Sequence, residues 1–229
     1  MIDNLIAGMD CTGESFSVAV WRDGVCLAET GGFTPRSHLR LFFPALVECL
    51  ERAELKVSDL SAVAVTVGPG SFTGVRLGVV TARTIAQASG CRLVPVDALE
   101  ALALNAPGIP VVMAGLDARR GEIFGAFFDT TGEFPHRLCE DRVFKPEECL
   151  EAMRERGCRA AVGSAVSRYR QLLSGCEGAC MLPDILAQIR GSMVARLGIR
   201  GLSEGRTAEP FELDPIYLRA AEVQVQAQS

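Results

Sequence analysis

The chain has 229 residues, of which 48% are hydrophobic and 22% are charged, and it carries a net charge of −5. The hydrophobic content is typical of a globular protein, and no apolar run reaches the roughly 18–20 residues of a membrane span. An acidic chain is poorly suited to grip a nucleic-acid backbone alone, so autonomous tRNA or DNA binding is disfavoured. The first residues lack the basic segment of a signal peptide, which predicts a cytoplasmic protein without membrane attachment.

The first predicted elements are a strand, a turn, a second strand and a second turn. The strand that begins near Ile6 leads into the turn Asp10-Cys-Thr-Gly-Glu14. Apolar residues then alternate with small or polar ones through Val20, which is the period of a half-buried strand. Asp23-Gly24 follows, and both of its residues tolerate the positive φ of a tight hairpin turn.

A helix is predicted next, over about residues 37–54, and a buried strand follows over residues 62–67. Pro44 would interrupt the hydrogen-bond ladder of this helix, so we expect either a late start near Leu41 or a kink. Ordinary core burial explains much of its wide apolar arc, which comprises Leu39, Phe42, Phe43, Leu46, Val47, Cys49 and Leu50.

A glycine-rich loop, VTVGPGSFTGVRLG, spans residues 65–78. Such strand-to-helix turns often cradle phosphate on backbone N–H groups. The P-loop pattern is absent because no lysine follows Gly74, and the dinucleotide pattern fails because Thr73 stands where its third glycine belongs. Motif matching therefore leaves the role of the glycines open.

The helix predicted after this loop, over residues 75–89, is apolar or small around most of its circumference. A surface helix usually has an apolar stripe little more than 100° wide, so this one must be covered on two sides. A row of small residues allows close approach of another helix. We expect this row to face a partner chain, the alternative being that it packs on the protein's own sheet; its members are Gly74, Gly78, Ala82 and Ala86.

The opening segment is repeated later in the chain. IAGMDCTGESFSVAVWRDG from Ile6 matches MAGLDARRGEIFGAFFDTTG from Met113. The repeat predicts two similar halves, residues 1–107 and 108–229, joined by the Pro- and Gly-containing segment 105–110. In the second half we expect helices over residues 145–156 and 184–204 and a strand over residues 160–162. Two halves that each open with β-hairpins suggest the α/β architecture of actin-like ATPases (the ASKHA, or RNase H-like, fold).

Four motifs together resemble the TsaB (YeaZ) family: GPGSFTGVRLG, MDCTGESFSVAVWRDG, LDARRGEIF and PIYLR. The resemblance covers nearly the whole chain and implies the actin-like ATPase fold. It also implies a non-catalytic scaffold subunit that binds TsaD, the paralogous subunit carrying the metal and active site, with the ATPase TsaE joining. The implied process is the formation of threonylcarbamoyladenosine (t6A) at adenosine 37 of tRNAs that read codons beginning with A, with tRNA reached through the complex.

The resemblance also implies the interaction surface. In the family the first two helices pair with the same helices of TsaD as a four-helix bundle, and we expect a homodimer through this surface when the partner is absent. The interface residues predicted on this basis are Leu39, Phe42, Phe43, Leu46, Leu50, Gly74, Gly78, Ala82 and Ala86.

The two repeated turns would face each other across a cleft, where related folds hold nucleotide phosphates. Asp10 and Thr12 could lie near a Mg²⁺–phosphate group, although we prefer a role in ordering their turn. Arg119 lies where a phosphate cradle needs glycine, which argues against the usual grip on a nucleotide. We therefore expect no required cofactor, with binding of ATP or ADP left open.

Catalytic residues and metal ligands are not predicted. His38 and His136 lie far apart in sequence, and the H-x-x-x-H of TsaD, H-E-x-x-H and G-x-S-x-G are all absent. The nine scattered cysteines read as reduced thiols. Two alternatives to the scaffold remain open: an actin-fold phosphotransferase that uses Asp10 as a metal-linked acid or base, and a stand-alone nucleotide-binding module.

Overall fold

The computed structural model describes residues 5–33 and 38–218 and contains two mixed β-sheets. The first sheet has the strand order β3-β2-β1-β4-β5. Its strands are β1 (Ile6–Asp10), β2 (Ser15–Arg22), β3 (Val25–Phe33), β4 (Ala62–Thr66) and β5 (Arg92–Val96). Asp23 and Gly24 form the two-residue connection between β2 and β3, and both have positive φ, as the sequence predicted.

The second sheet has the order β11-β10-β6-β7-β8, and β9 also pairs with β7. Its strands are β6 (Val112–Arg119), β7 (Glu122–Asp129), β8 (His136–Arg137), β9 (Arg142–Phe144), β10 (Ala160–Val162) and β11 (Cys180–Met181). In both sheets the first strand is antiparallel to its hairpin partner and parallel to the strand that follows a helix. The repeated sequence thus builds two sheets of the same topology, and the predicted actin-like architecture with hairpin-opened halves is confirmed.

Helices cover both faces of each sheet. The helices are α1 (His38–Arg52), α2 (Phe72–Ser89), α3 (Ala98–Ala103), α4 (Pro146–Glu155), α5 (Ser164–Leu173) and α6 (Gly191–Ser203). Val63 and Val65 of β4 join the core under α1 and α2, whereas Ala62 and Ala64 join the core that contains α3 and α6. This alternation places α1 and α2 on the outer face of the first sheet and α3 and α6 between the two sheets.

The two inner helices each pack across the boundary that the sequence suggested at residue 107. α3 follows the first sheet along the chain but packs on β6 and β7. α6 follows the second sheet but packs on β1, β2, β4 and β5. The approach is close at Gly198 of α6, where the Cβ of an alanine would lie 2.5 Å from the Ala64 Cβ. A division at residue 107 therefore separates the sheets but not the helices.

Two local predictions need correction. The helix predicted over residues 184–204 is broken into a 3₁₀ turn (Asp184–Leu186) and α6, and the Asn105 side chain donates to the carbonyls of Leu186 and Gln188 at 3.0 and 2.8 Å. These carbonyls are satisfied by a distant side chain instead of a helical ladder. The late start near Leu41 is also wrong, because α1 already includes His38 and carries the exposed Pro44 within it.

Candidate functional site

A cleft with a volume of roughly 910 Å³ separates the two repeated turns. One wall is formed by the β1–β2 turn and the loop that precedes α2, and the other by the β6–β7 turn and the start of α5. Residues 216–218, which we call the C-terminal strap, also line the cleft. The structure therefore brings Asp10, Thr12 and Arg119 into one cleft, as the sequence predicted.

Asp10 orders the first turn. Its Oδ1 accepts hydrogen bonds from the Thr12 hydroxyl at 2.7 Å, the Thr66 hydroxyl at 2.7 Å and the Thr12 backbone N–H at 3.3 Å. Asp10 and Thr12 are both buried. This geometry ties the turn to the end of β4, in agreement with the preferred interpretation of these two residues.

Cys11, between them, is a poor candidate for a nucleophile. Burial, followed by the nearby Asp10 carboxylate, raises the pKa of its thiol far above the ordinary value. The reactive form of cysteine is the thiolate. The side chain therefore remains a neutral, buried thiol at physiological pH.

Arg119 crosses the cleft and pairs with Glu14 of the opposite turn. This hydrogen bond raises the pKa of the guanidinium above its ordinary value. Asp117 lies 3.9 Å from Arg119 and 3.3 Å from Arg168, so the arginines of the cleft are paired with its own carboxylates. The Arg120-Gly121 connection is tight, with positive φ at both residues.

The arginines of the cleft are outnumbered by its carboxylates. Four carboxylates and two arginines line the cleft, namely Asp10, Glu14, Asp117 and Asp184 against Arg119 and Arg168. A phosphate would have to displace the Glu14–Arg119 pair and accept a carboxylate as a neighbour. The arginines can still recognise anions in principle, but here their charge is already neutralised.

The glycine-rich loop packs against the first turn. The Ser71 backbone N–H donates to the Thr12 carbonyl at 2.7 Å. An alanine Cβ at position 70 would lie 2.6 Å from the Thr12 Cβ, and one at position 74 would lie 1.9 Å from the Cys11 carbonyl oxygen. The space that these glycines leave is thus occupied by protein, not by a phosphate cradle.

Gly68 makes room for the C-terminal strap. The Ile216 backbone N–H donates to the Val67 carbonyl at 2.7 Å, and an alanine Cβ at position 68 would lie 2.5 Å from the Ile216 carbonyl oxygen. The position of the PIYLR motif could not be predicted from the sequence, because its contact with Gly68 joins two segments that are far apart in the chain.

The predicted interface row on α2 is wrong in its orientation. An alanine Cβ at position 78 would lie 3.4 Å from a methyl group of Val65, and Ala82 and Ala86 are buried. The row packs on the protein's own sheet, because small residues let α2 sit close to β4. It is therefore covered within the single chain and is not open to a partner.

The α1 residues of the same prediction divide into two groups. Phe42, Leu46 and Leu50 are buried in the core under α1, whereas the Phe43 side chain is 50% exposed. The Leu39 side chain lies outside the described part of the structure. Of the described interface candidates, Phe43 alone is exposed, since the others are buried in the core or against the first turn.

A different set of side chains forms the outer face of the helical layer. We call this surface the α1/α2 outer face, and it is defined by Leu41, Phe43, Phe72 and Val80, whose exposed fractions are 40%, 50%, 40% and 58%. Exposed apolar patches on a protein surface are commonly sites of interaction with another protein. The sequence periodicity found both apolar arcs of α2 but did not say which arc the sheet would cover.

Within residues 5–33 and 38–218, no three His, Cys, Asp or Glu side chains are grouped so that they could hold a metal ion. None of the helices in these two segments has the length and apolar character required to cross a membrane. All nine cysteines are free thiols.

Known proteins resemble the chain over nearly its whole length. The family model described as TsaD, tRNA N6-adenosine threonylcarbamoyltransferase, matches residues 20–181. The chain is 31% identical to the tRNA threonylcarbamoyladenosine biosynthesis protein TsaB of Escherichia coli K12, over 93% of this chain and 94% of that protein. It is 28% identical to TsaB of Bacillus subtilis 168, over 96% of both chains.

Solved structures share the fold. YeaZ from Pseudomonas aeruginosa superposes with a TM-score of 0.79 at 22% identity, over 94% of this chain and 100% of that one. The TsaB relatives match both halves of the chain, and the matched region includes the glycine-rich loop. The chain therefore belongs to the TsaB (YeaZ) family of tRNA threonylcarbamoyladenosine biosynthesis proteins, within the wider group that the TsaD model describes.

Proposed function

We propose that the chain is a non-catalytic scaffold subunit that binds the catalytic TsaD subunit, with TsaE joining the assembly, for t6A modification of adenosine 37 in tRNAs that read codons beginning with A. The observation that carries the proposal is the α1/α2 outer face, an exposed apolar surface on two neighbouring helices. The cleft supports the non-catalytic part of the proposal, because its arginines are paired with its own carboxylates. The protein would act in the cytoplasm, and its nine free thiols suit a reducing compartment.

The α1/α2 outer face is well placed for helix-to-helix association. Its four members lie on the solvent side of a helical layer whose other side is fixed by the sheet. A stable interface of this kind buries about 800 Å² on each partner. The same surface can pair with a second copy of itself in an isologous dimer, so we propose that a homodimer forms when TsaD is absent.

Charging this surface is expected to abolish association with TsaD. The double variant Phe43→Glu, Val80→Glu places two carboxylates where a partner would exclude water, which costs several kcal/mol, roughly a hundredfold or more in affinity. Both side chains are half exposed, so the isolated chain should melt near the wild-type temperature. Size-exclusion chromatography with purified TsaD, and t6A formation by the reconstituted complex, measure the two effects.

A matched control is Ile185→Glu, which charges an apolar side chain that is 84% exposed on the second half. This variant should associate with TsaD and support t6A formation as the wild type does. Retained association of the double variant would contradict the proposed interface. Equal losses in the double variant and the control would show a general effect of added charge.

The alternative functions, a phosphotransferase or a stand-alone nucleotide-binding module, both need the cleft. We propose that the cleft holds no nucleotide, because the Glu14–Arg119 pair occupies the place where the two turns face each other. The glycines that would cradle phosphate instead contact Thr12 and Cys11. Steady ATP hydrolysis by the purified chain would contradict this proposal and favour the phosphotransferase.

Asp10→Ala is expected to leave t6A formation by the reconstituted complex within a few-fold of wild type. Its loss removes buried hydrogen bonds to Thr12 and Thr66 and should lower the free energy of unfolding by about 1–2 kcal/mol. Thermal melting and the modification rate are measured on the same preparation. A rate that falls by orders of magnitude in a folded variant would instead support Asp10 as a metal-linked acid or base.

A further inference from the structure

Arg76 of α2 lies over the ring of Phe72, which is itself packed against the ring of Tyr217. Its guanidinium carbon lies 3.8 Å from the centroid of the Phe72 ring and 5.8 Å from that of Tyr217. The two ring centroids are 5.1 Å apart, with an angle of 30° between the ring planes. The Arg76 Nε–H also donates a hydrogen bond of 2.8 Å to the Tyr217 hydroxyl oxygen.

The fold fixes this arrangement from both ends. Phe72 and Arg76 are one turn apart on α2, and Tyr217 belongs to the C-terminal strap. The strap is anchored by the Ile216 N–H on the Val67 carbonyl and, three residues earlier, by the buried Leu213. The guanidinium is therefore ordered before any partner arrives, which reduces the entropy that binding would otherwise cost.

The charge of Arg76 is nevertheless left without a carboxylate in residues 5–33 and 38–218. Several other arginines do have one: Arg119 pairs with Glu14, Arg190 with Glu29 and Arg200 with Glu100. Arg76 makes its described contacts to two rings and a phenol oxygen. The ring contacts and the Nε hydrogen bond leave the terminal N–H groups of the Arg76 guanidinium available. Their planar arrangement matches the two oxygens of a carboxylate.

Arg76 also continues the α1/α2 outer face. Phe72, Arg76 and Val80 follow each other at intervals of four residues and form one exposed stripe on α2. Arginine and tyrosine are enriched among the residues that dominate binding energy at protein interfaces. Arg76, ordered by its contact with Tyr217 of the strap, thus adds a positive charge to one end of the apolar surface.

We propose that Arg76, which stacks on Phe72 and donates a hydrogen bond to Tyr217, receives a carboxylate side chain of the partner subunit, so that the C-terminal strap is part of the partner interface. This inference rests on the proposed function and adds the chemistry of recognition at one end of the surface. A nucleic-acid phosphate is the competing anion. It is disfavoured because the chain carries a net charge of −5 and the stripe presents apolar neighbours rather than further cations.

The test compares two exposed arginines by titration calorimetry of the purified full chain with the TsaD subunit. Arg76→Gln is expected to weaken binding tenfold or more, whereas Arg92→Gln, which removes the same charge from β5 and away from the α1/α2 outer face, stays within twofold of wild type. Arg76→Lys keeps the charge but loses the planar fork, and an intermediate affinity is expected. Melting temperatures of all three variants should match that of the wild type.

Salt dependence separates an ion pair from mere support of the strap. The wild-type affinity should fall between 50 and about 300 mM salt, and Arg76→Gln should flatten this dependence. Tyr217→Phe retains the ring and removes the hydroxyl, so it should weaken binding less than Arg76→Gln and keep the wild-type salt slope. An unchanged slope in Arg76→Gln would overturn the proposal.

Failure of the inference and failure of the proposed function give different results. If wild type binds TsaD and the Phe43→Glu, Val80→Glu variant does not, while Arg76→Gln binds as wild type, the carboxylate contact is wrong and the interface stands. If wild type does not bind TsaD, the proposed function itself fails. A loss of tRNA binding by the complex in Arg76→Gln with unchanged affinity for TsaD would overturn the carboxylate in favour of a phosphate.

Discussion

Gly74→Ala is expected to unfold the chain or to lower its free energy of unfolding by about 3 kcal/mol or more, whereas Gly78→Ala is expected to leave it unchanged or slightly raised. Both positions lie in α2, where replacing glycine by alanine gains about 1 kcal/mol of helix propensity. The added Cβ would meet the backbone carbonyl oxygen of Cys11 at 1.9 Å in the first case and a Val65 methyl group at 3.4 Å in the second. Backbone cannot move aside as a side-chain methyl can, so overpacking dominates at Gly74.

The two substitutions form their own control, since the residue types, the helix and the change in side-chain volume are the same. Urea denaturation followed by circular dichroism measures both free energies of unfolding. Wild-type stability in Gly74→Ala would show that the loop before α2 does not sit against the first turn. A strong loss in Gly78→Ala would show that α2 lies closer to β4 than the 3.4 Å separation indicates.

The hairpins and the repeat could be predicted from the sequence because their signals are local. Asp23 and Gly24 both adopt positive φ at a two-residue connection, as their residue types indicate. The matched segments from Ile6 and Met113 build two sheets of the same order. Each of these features depends on residues close in sequence, where periodicity and turn chemistry are most informative.

The orientation of α2 could not be predicted in the same way. A helical wheel divides its residues into two apolar arcs but does not state which arc the sheet covers. The deciding contacts, those of Gly74 with Cys11 and Gly78 with Val65, join α2 to the first turn and to β4. Small residues are equally compatible with a close partner helix and a close sheet, and the sheet takes this position within the single chain.

The cleft illustrates the same limit. The sequence predicted that Asp10, Thr12 and Arg119 would meet there, because the repeat placed their turns in equivalent positions. It did not predict the pairing of Arg119 with Glu14, 105 residues away in the chain, which neutralises the charge of Arg119. Arg119 alone suggests an anion site, and the carboxylate that occupies it becomes visible once both turns are in place.

The return of α6 to the first sheet is the least local feature of the fold. Its first backbone N–H groups need acceptors, and Arg190 supplies no side-chain cap. The Gly191 N–H donates to the Ser17 hydroxyl at 2.8 Å, and the Ser192 N–H donates to Glu29 Oε1 at 3.0 Å. Strands β2 and β3 thus cap a helix more than 160 residues later in the chain, which explains why no capping pattern marked its start in the sequence.

Glu29→Ala is expected to lower the free energy of unfolding by about 2–4 kcal/mol, because it removes both a helix cap and the charged partner of Arg190. Glu133→Gln is the control, since this exposed side chain has no hydrogen-bond or ion-pair partner within the described residues. Denaturant unfolding at pH 7 measures both. A change in Glu29→Ala no larger than in the control would contradict the capping role.

The same residue should make stability depend on acid. Burial by itself raises the pKa of Glu29, but the Ser192 N–H and hydroxyl and the Arg190 guanidinium outweigh it and hold the pKa below the ordinary value of 4.5. Because the folded state favours the carboxylate, the stabilisation is fully present above pH 4.5 and is lost as the pH falls through the lower, folded-state pKa. The difference in stability between wild type and Glu29→Gln should therefore be constant from pH 6 to 7 and shrink below about pH 4.5. A difference that stayed the same into acid would mean that the carboxylate of Glu29 does not hold α6 to the first sheet through its charge.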